Sequence, residues 1–167
     1  KWADWINSYK HFGMDMTGAN REGIHFNMIG TNYKLTNIQA AVGLGQLENI
    51  DELLNKRIQL ANNYKKLIKE SDKINLPVVL DPKPNCQHSF QTYVVYIKDR
   101  DRVMGEMRNK GIEVQIGSYS LHMHKAYSNN SQIELVGDLK NSAWCFRHAL
   151  ALPLYNDLTF EQQKFII

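Results

Sequence analysis

The sequence predicts an α/β chain in which a small α+β unit packs against one long amphipathic helix. Two observations support this fold class. Apolar residues recur at spacings of three and four from residue 47 to residue 68, and with a start near residue 37 this indicates a helix of more than about eight turns. Beyond it, short runs rich in β-branched and aromatic residues alternate with helical patterns, which is typical of a small sheet with flanking helices.

The composition is that of a folded chain that can bury one sizeable core or two small ones. Its 167 residues are 43% hydrophobic and have a net charge of +3. No apolar run approaches the roughly 18 residues of a membrane span, the N-terminus lacks a signal-peptide pattern, and no run of lysine and arginine suits nucleic acid. The two cysteines, Cys86 and Cys145, are too few for a disulfide scaffold. We therefore expect a cytoplasmic protein that binds neither membrane nor nucleic acid.

The N-terminal stretch predicts a short helix and then a long loop. Within residues 1–12 the apolar side chains recur at helical spacing: Trp2, Trp5, Ile6 and Tyr9. Residues 13–34 contain four glycines and little apolar periodicity, so we expect a loop there. Loops of this length inside compact domains are often functional.

The long helix has a clear start. Thr36, followed three residues later by Gln39, is a capping-box pattern, so the helix is expected to begin at about Asn37. Its apolar stripe consists of Leu47, Ile50, Leu54, Ile58, Ala61, Tyr64 and Ile68. Its first turns contain the small residues Ala40, Ala41, Gly43 and Gly45. Each helical glycine costs on the order of 1 kcal/mol relative to alanine, so close packing against a neighbour is expected there.

The remaining chain predicts short strands separated by helices. The long helix is expected to end at Ser71-Asp72-Lys73. Strands are expected at 74–80, 88–97, 112–116 and 149–154, and helices at 99–110, at 139–146 and from Thr159 onward. Gly111 is expected to end the helix before it, and a loop at 117–127 contains Ser118, Tyr119, His122 and His124.

Several segments resemble one known family. The stretch Gly30–Asp51, GTNYKLTNIQAAVGLGQLENID, is similar to the G-x-N-Y-R-M-T-x-I-Q-A-A-I-G-x-x-Q-L-x-x-L-D stretch of the DegT/DnrJ/EryC1/StrS sugar aminotransferases. Further segments resemble that family in the same order: the basic, His-Gly element at Tyr9–Gly13, the strand opening His88-Ser89-Phe90, the helix exit Lys110-Gly111-Ile112, the P-L-H-like element Ser120-Leu121-His122, and the L-P-L-Y, L-T-x-E-Q ending from Leu152. The resemblance extends over nearly the whole chain.

This resemblance implies a pyridoxal-phosphate enzyme of fold type I. Such enzymes are usually homodimers that transfer an amino group from glutamate to a keto-sugar attached to a nucleotide. The cofactor acts as an electron sink, and the protein supplies attachment, orientation and electrostatic tuning. The chain resembles the C-terminal part of that fold, with 1–34 as the tail of the large cofactor-binding domain, 35–71 as the connecting helix and 72–167 as the small domain.

The resemblance also implies that essential groups lie elsewhere. In the family, the lysine of the Schiff base, the aspartate that holds the pyridinium nitrogen and the phosphate loop all precede the stretch that Lys1 begins. We therefore expect a piece of a longer protein that is inactive alone, does not retain pyridoxal phosphate and self-associates through uncovered apolar surface. No catalytic residue is expected within the chain itself.

Four residues take site roles from the resemblance. Asn32 matches the asparagine that reaches the phosphate of the partner subunit's cofactor, although an Asx-turn before the helix is the structural alternative. Lys34 stands where the family commonly has arginine, and it is either a substrate contact or a solvated lysine. Tyr119 and His122 lie on the loop that helps to line the sugar-nucleotide pocket, and His122 would otherwise be a solvated loop histidine.

The sequence leaves two other functions open. A dehydratase of the same family has histidine in place of the upstream lysine and eliminates water, and a truncated paralogue would act as a noncatalytic interaction module. A zinc site assembled from His122, His124, Cys145 and His148 is not expected, because these positions lack a paired-ligand spacing.

Overall fold

The computed structural model describes residues 1–14, 25–69, 74–76, 86–128 and 130–167. Their contacts divide the chain into two compact units, residues 1–50 and residues 51–167, which are described separately below. No helix among these described residues is long and apolar enough to cross a membrane. The predicted loop segment 15–24, the helix end at 71–73 and the strand positions 77–80 lie outside the described residues.

The described residues of the first unit form two helices, α1 (Trp2–Tyr9) and α2 (Asn37–Leu47). The predicted start of α2 is confirmed at Asn37. Thr36 Oγ1 accepts a hydrogen bond from the Gln39 backbone N–H at 3.2 Å, and the Thr36 N–H donates to Gln39 Oε1 at 3.0 Å. The two bonds satisfy backbone groups that would otherwise lack helical partners.

The expectation of one continuous helix is wrong. α2 ends at Leu47, and a separate helix α3 spans Ile50–Lys69. At the break the Asn49 N–H donates to the carbonyl oxygen of Gln46, the third preceding residue, at 3.3 Å. In an α-helix the acceptor would be the fourth preceding residue, so the turn here is tighter than an α-helical turn. The small residues before the break weaken α2, because glycine has low helix propensity. The apolar stripe is interrupted as well, since Leu47 is 61% exposed.

The second unit contains the hydrophobic core. α3 contributes Leu60, Ala61, Tyr64 and Ile68, all of which are buried. They belong to one cluster with residues of the sheet and its connections: Tyr93, Val95, Ile112, Val114, Leu150, Leu152 and Leu158. Three of the α3 positions were predicted from the apolar stripe, and Leu60 was not.

A three-stranded antiparallel sheet lies at the centre of this core. Its strands are β1 (Tyr93–Tyr96), β2 (Gln115–Ile116) and β3 (Ala149–Leu152), in the order β1-β3-β2. β3 is central, pairing Tyr93 with Leu152 on one side and Ile116 with Leu150 on the other. Outside the named strands, Asn75 exchanges backbone hydrogen bonds with Tyr96.

Three predicted strands are shorter than expected. The strand predicted at 149–154 ends at Leu152, and the strands predicted at 88–97 and 112–116 begin later than predicted. Residues 88–92 are not part of β1, because the Phe90 backbone is left-handed at φ 46° and the Arg57 side chain binds two carbonyl oxygens of this segment. Arg57 Nε donates to Phe90 O at 3.0 Å, and Arg57 Nη2 donates to Gln91 O at 2.6 Å. Residues 112–114 are likewise not paired as strand. There the Arg108 guanidinium donates to Val114 O at 2.8 Å.

Except for the four-residue helix at Lys125–Ser128, the remaining helices follow the sequence patterns closely. They are α4 (Arg100–Asn109), α5 (Lys125–Ser128), α6 (Lys140–His148) and α7 (Phe160–Ile166). Gly111 has φ +77° directly after α4, a conformation that favours glycine at a helix end. Thr159 and Gln162 form a complete capping box at the start of α7. α5 and a 3-10 turn at Leu121–Met123 were not predicted within the loop at 117–127.

Candidate functional site

The segment that holds Asn32 in the first unit is paired with the chain that follows α1. The Thr31 N–H donates to Tyr9 O at 2.9 Å, and the Tyr33 N–H donates to Lys10 O at 3.0 Å. Between them, His11 and Asn32 face each other in an antiparallel bridge. The backbone of Asn32 is therefore held by hydrogen bonds on both sides, although the residue lies in a loop.

Two glycines allow this pairing. A Cβ atom at Gly30 would lie 2.2 Å from the Gly13 nitrogen, and one at Gly13 would lie 1.8 Å from Met28 O. Real side chains do not tolerate such distances, so both positions require glycine. Gly13 also has φ +81°, which L-residues rarely adopt. The glycines of the predicted loop thus hold the Asn32 segment close to the end of α1.

The side chains of Asn32 and Lys34 are both exposed. Within the described part of the chain, the Asn32 amide makes no hydrogen bond, so the Asx-turn proposed as its structural alternative is not formed there. Lys34 Nζ lies 4.6 Å from the centroid of the Phe12 ring, a cation–π contact. An amide donor and an ammonium group thus lie two residues apart on one segment.

In the second unit, the loop after β2 contains the other two predicted site residues. It leaves the sheet at Gly117, whose N–H donates to Ala149 O at 2.9 Å. A Cβ atom at Gly117 would lie 2.8 Å from Val94 Cγ1, so glycine permits the close approach of the loop to the sheet. The 3-10 turn that follows is closed by the Met123 N–H donating to Ser120 O at 3.0 Å.

Tyr119 presents its ring at the surface of this loop. The side chain is 59% exposed. Its ring centroid lies 5.9 Å from that of Phe146 and 6.1 Å from that of His124. The three rings form an aromatic cluster at the surface of this loop.

His122 is held by two serines that sequence reasoning did not single out as site residues. Ser120 is fully buried, and its Oγ lies 2.9 Å from His122 Nδ1 and 2.9 Å from Ser142 Oγ. The sequence did contain a signal for Ser120, because it stands where the P-L-H element that the loop resembles has proline. Ser142 gave no signal, because it lies 22 residues away in sequence and is brought there by α6.

Of the side chains considered as zinc ligands, His124, His148 and Cys145 contact aromatic side chains. His124 packs against Phe146 with ring centroids 5.3 Å apart, and His148 stacks on Trp144. Cys145 Sγ lies 3.7 Å from the Tyr96 hydroxyl, and this contact, with burial, raises the pKa of Tyr96. Across the described ranges there is no group of three or more histidine, cysteine, aspartate or glutamate side chains suited to a metal ion.

The structure thus groups the four predicted residues in pairs. Asn32 and Lys34 share one segment of the first unit, and Tyr119 and His122 share one loop of the second. Comparison with known proteins places the chain in a family. The sequence profile of the DegT/DnrJ/EryC1/StrS aminotransferase family matches residues 1–167. The chain belongs to this family.

Curated relatives in the family have names of nucleotide-sugar enzymes. The chain is 32% identical to the GDP-perosamine synthase of Caulobacter vibrioides, over 80% of this chain and 36% of the relative. It is 23% identical to the UDP-4-amino-4,6-dideoxy-N-acetyl-beta-L-altrosamine transaminase of Campylobacter jejuni, over 83% of this chain and 36% of that protein. The chain therefore spans little more than a third of the length of these relatives.

Solved structures show the same fold. A DegT DnrJ EryC1 StrS aminotransferase from Brucella abortus superposes with a TM-score of 0.79 at 25% identity, over 98% of this chain and 41% of that one. Helicobacter pylori PseC, an aminotransferase involved in the biosynthesis of pseudoaminic acid, gives a TM-score of 0.77 at 20% identity, over 96% and 43%. The architecture matches the C-terminal part of this family's fold, as the sequence predicts.

Proposed function

We propose that this chain is the C-terminal region of a pyridoxal-phosphate-dependent nucleotide-sugar aminotransferase. The reaction is amino transfer from glutamate to a keto-sugar attached to a nucleotide. Family membership supports an aminotransferase, and the names of the relatives support a sugar substrate on GDP or UDP. The observation that carries the proposal is Asn32, whose backbone is held on both sides while its amide is exposed.

The first unit fits the anionic end of the cofactor. A neutral amide and a nearby ammonium group are suitable donors to phosphate oxygens. Asn32 would contact the phosphate of pyridoxal phosphate bound by a partner subunit, and Lys34 would contact the cofactor phosphate or the substrate. When bound, the cofactor supplies an electron sink at the reacting carbon, while the lysine that would hold it is expected upstream.

The second unit would contribute to the substrate pocket. The exposed Tyr119 ring and the His122 imidazole lie on one loop that is fixed to the sheet through Gly117. Sugar hydroxyls and nucleotide phosphates offer oxygen acceptors to such groups. We assign these two side chains to the binding and orientation of the nucleotide sugar.

A homodimer in the cytoplasm completes the proposal. α2 has no buried residue, and its apolar side chains Ile38, Val42, Leu44 and Leu47 are exposed. Exposed apolar patches of this kind indicate contact surfaces. Cys86 and Cys145 are free, which agrees with a reducing compartment.

The test is a kinetic comparison of Asn32 variants in the enzyme that contains this chain. Amino transfer from glutamate to a GDP-linked keto-sugar is measured while pyridoxal phosphate is titrated. Asn32→Ala is expected to raise the cofactor concentration needed for half-maximal activity at least several-fold. Asn62→Ala, which alters an exposed asparagine of α3, is the matched control and is expected to leave it unchanged.

Three outcomes would count against the proposal. Equal cofactor dependence in Asn32→Ala and Asn62→Ala would remove Asn32 from the cofactor site. Glutamate-independent loss of water from the keto-sugar would indicate a dehydratase. Trapping of pyridoxal phosphate by borohydride on a lysine of these 167 residues would refute the upstream position of the cofactor lysine.

A further inference from the structure

The buried hydroxyl of Ser120 connects His122 to the N-terminal turn of α6. Ser120 has no exposed surface, and its Oγ lies 2.9 Å from both His122 Nδ1 and Ser142 Oγ. A serine hydroxyl has one proton to donate and lone pairs that accept. Ser120 can therefore donate to one of these neighbours while it accepts from the other.

We propose that Ser142, Ser120 and His122 form a directed hydrogen-bond chain that holds the His122 ring with its proton on Nε2. Ser142 donates to Ser120, and Ser120 donates to His122 Nδ1. The Nε2–H group is then available to donate to an oxygen of the nucleotide sugar. The assignment of a nucleotide-sugar oxygen as the acceptor rests on the proposed function. The assignment of the His122 proton to Nε2 does not depend on it.

The direction of the chain follows from the electrostatics of α6. Ser142 is the third residue of this helix, which spans Lys140–His148. The N-terminal end of a helix has partial positive charge, which favours a hydroxyl with its oxygen toward the helix and its proton away from it. The Ser142 proton is thus directed to Ser120 Oγ, and the Ser120 proton remains for Nδ1. A neutral imidazole that accepts at Nδ1 has its proton on Nε2.

The hydroxyl of Ser120 is required for this arrangement. The P-L-H pattern that the loop resembles has proline at this position, and proline has no hydroxyl group. A hydroxyl without access to water has to find partners within the protein, and Ser120 finds two. Ser120 and Ser142 are therefore positioning residues that act through His122.

Nuclear magnetic resonance of the chain labelled with 15N-histidine tests the tautomer directly. Comparison with His122→Gln assigns the His122 signals. The wild-type spectrum above neutral pH is expected to show the Nε2–H form. Ser120→Ala is expected to raise the Nδ1–H fraction several-fold, and Ser142→Ala to raise it less. Ser118→Ala, an exposed serine of the same loop, is the control and is expected to leave the ratio unchanged.

Either of two spectra would overturn the tautomer assignment. One is a wild-type His122 with its proton on Nδ1, and the other is an unchanged ratio in Ser120→Ala. If Ser120→Ala does not fold, the exposed Ser142→Ala decides alone, and an unchanged ratio there refutes the directed chain.

Kinetics of the enzyme that contains this chain test the acceptor separately. With a GDP-linked keto-sugar, Ser120→Ala and His122→Gln are expected to raise KM several-fold with little change in kcat, while Ser118→Ala leaves both unchanged. An unchanged KM in His122→Gln overturns the substrate contact. Failure of the proposed function would thus appear in KM, and failure of the hydrogen-bond chain would appear in the histidine spectrum.

Discussion

The Gln163 side chain donates from Nε2 to the backbone carbonyl of Leu60 at 2.9 Å, across 103 residues of sequence. Gln163 lies in α7 and is fully buried. Its Oε1 accepts in turn from Asn63 Nδ2 at 3.1 Å. One buried amide therefore joins α7 to α3, and both of its polar ends are satisfied.

Removal of this amide is expected to destabilise the second unit. Gln163→Leu keeps the side chain large but leaves the Asn63 donor without its acceptor, so the free energy of unfolding should fall by about 1–3 kcal/mol. Urea unfolding followed by circular dichroism measures the change. Gln59→Leu, at an exposed glutamine of α3, should shift stability by no more than about 0.5 kcal/mol. Equal stability of the two variants would contradict the bridging role.

Two buried tyrosines predict a loss of stability at alkaline pH. Tyr64 and Tyr93 stack with ring centroids 5.0 Å apart. Burial raises the pKa of Tyr93 from 10.0 to about 12 and raises the pKa of Tyr64 in the same direction. Because the folded state holds these protons more tightly than the unfolded chain, the stabilisation is complete below about pH 10 and is lost as the pH rises through about 12.

Urea unfolding at a series of pH values checks this dependence. Tyr93→Phe removes one titrating hydroxyl, so the decline in stability above about pH 10 should become shallower. Tyr33→Phe alters an exposed tyrosine and should leave the slope as in the wild type. Identical slopes in both variants would show that Tyr93 does not govern the alkaline transition.

The exposed apolar face of α2 predicts self-association of the chain. Light scattering is expected to show a mass that rises with concentration, because exposed apolar surface favours contact between copies. Val42→Glu should reduce this rise. Val136→Glu introduces the same charge at an exposed valine of the second unit and should not. A monomeric mass at all concentrations would refute the expectation.

Replacement of a glycine in α2 by alanine is expected to strengthen the helix and to weaken its contacts with another copy. A Cβ atom at Gly43 would meet no atom within 4 Å in the described structure. Gly43→Ala should therefore stabilise α2 by up to about 1 kcal/mol and raise helicity, while it weakens association that depends on close backbone approach.

Gly105 in α4 is the matched control for this test. Its Cβ position is also open, so Gly105→Ala should raise helicity without a change in association. Circular dichroism and light scattering on the same samples measure the two effects. Unchanged association in Gly43→Ala would mean that the small residues of α2 do not mediate it.

Local signals predicted the capped helix starts and the end of α4. Thr36 with Gln39 forms the capping box that its spacing indicates, Thr159 caps the helix predicted from that residue onward, and Gly111 has the left-handed conformation expected at a helix end. In these cases the interacting groups lie within a few residues of each other. Pattern and spacing therefore contain the information that the structure uses.

Strand lengths and helix continuity could not be predicted in this way. The 88–97 pattern has high strand propensity, yet Arg57 from α3 occupies the carbonyls of residues 90 and 91. The apolar stripe likewise gave no sign of the turn between α2 and α3, since its spacing of three and four continues across the break. Backbone hydrogen bonding that involves distant side chains or tight local turns overrides periodicity.

By itself, the sequence determined the family, the capped starts of α2 and α7 and the segments that contain Asn32, Lys34, Tyr119 and His122, because these features depend on residues close together in the chain. Only the tertiary structure decided which groups surround them. The contacts of Ser142 with Ser120, of Gln163 with Leu60 and of Arg57 with the Phe90 carbonyl join residues 22 to 103 positions apart. Such contacts exist only once folding has brought the elements together, so no local pattern records them.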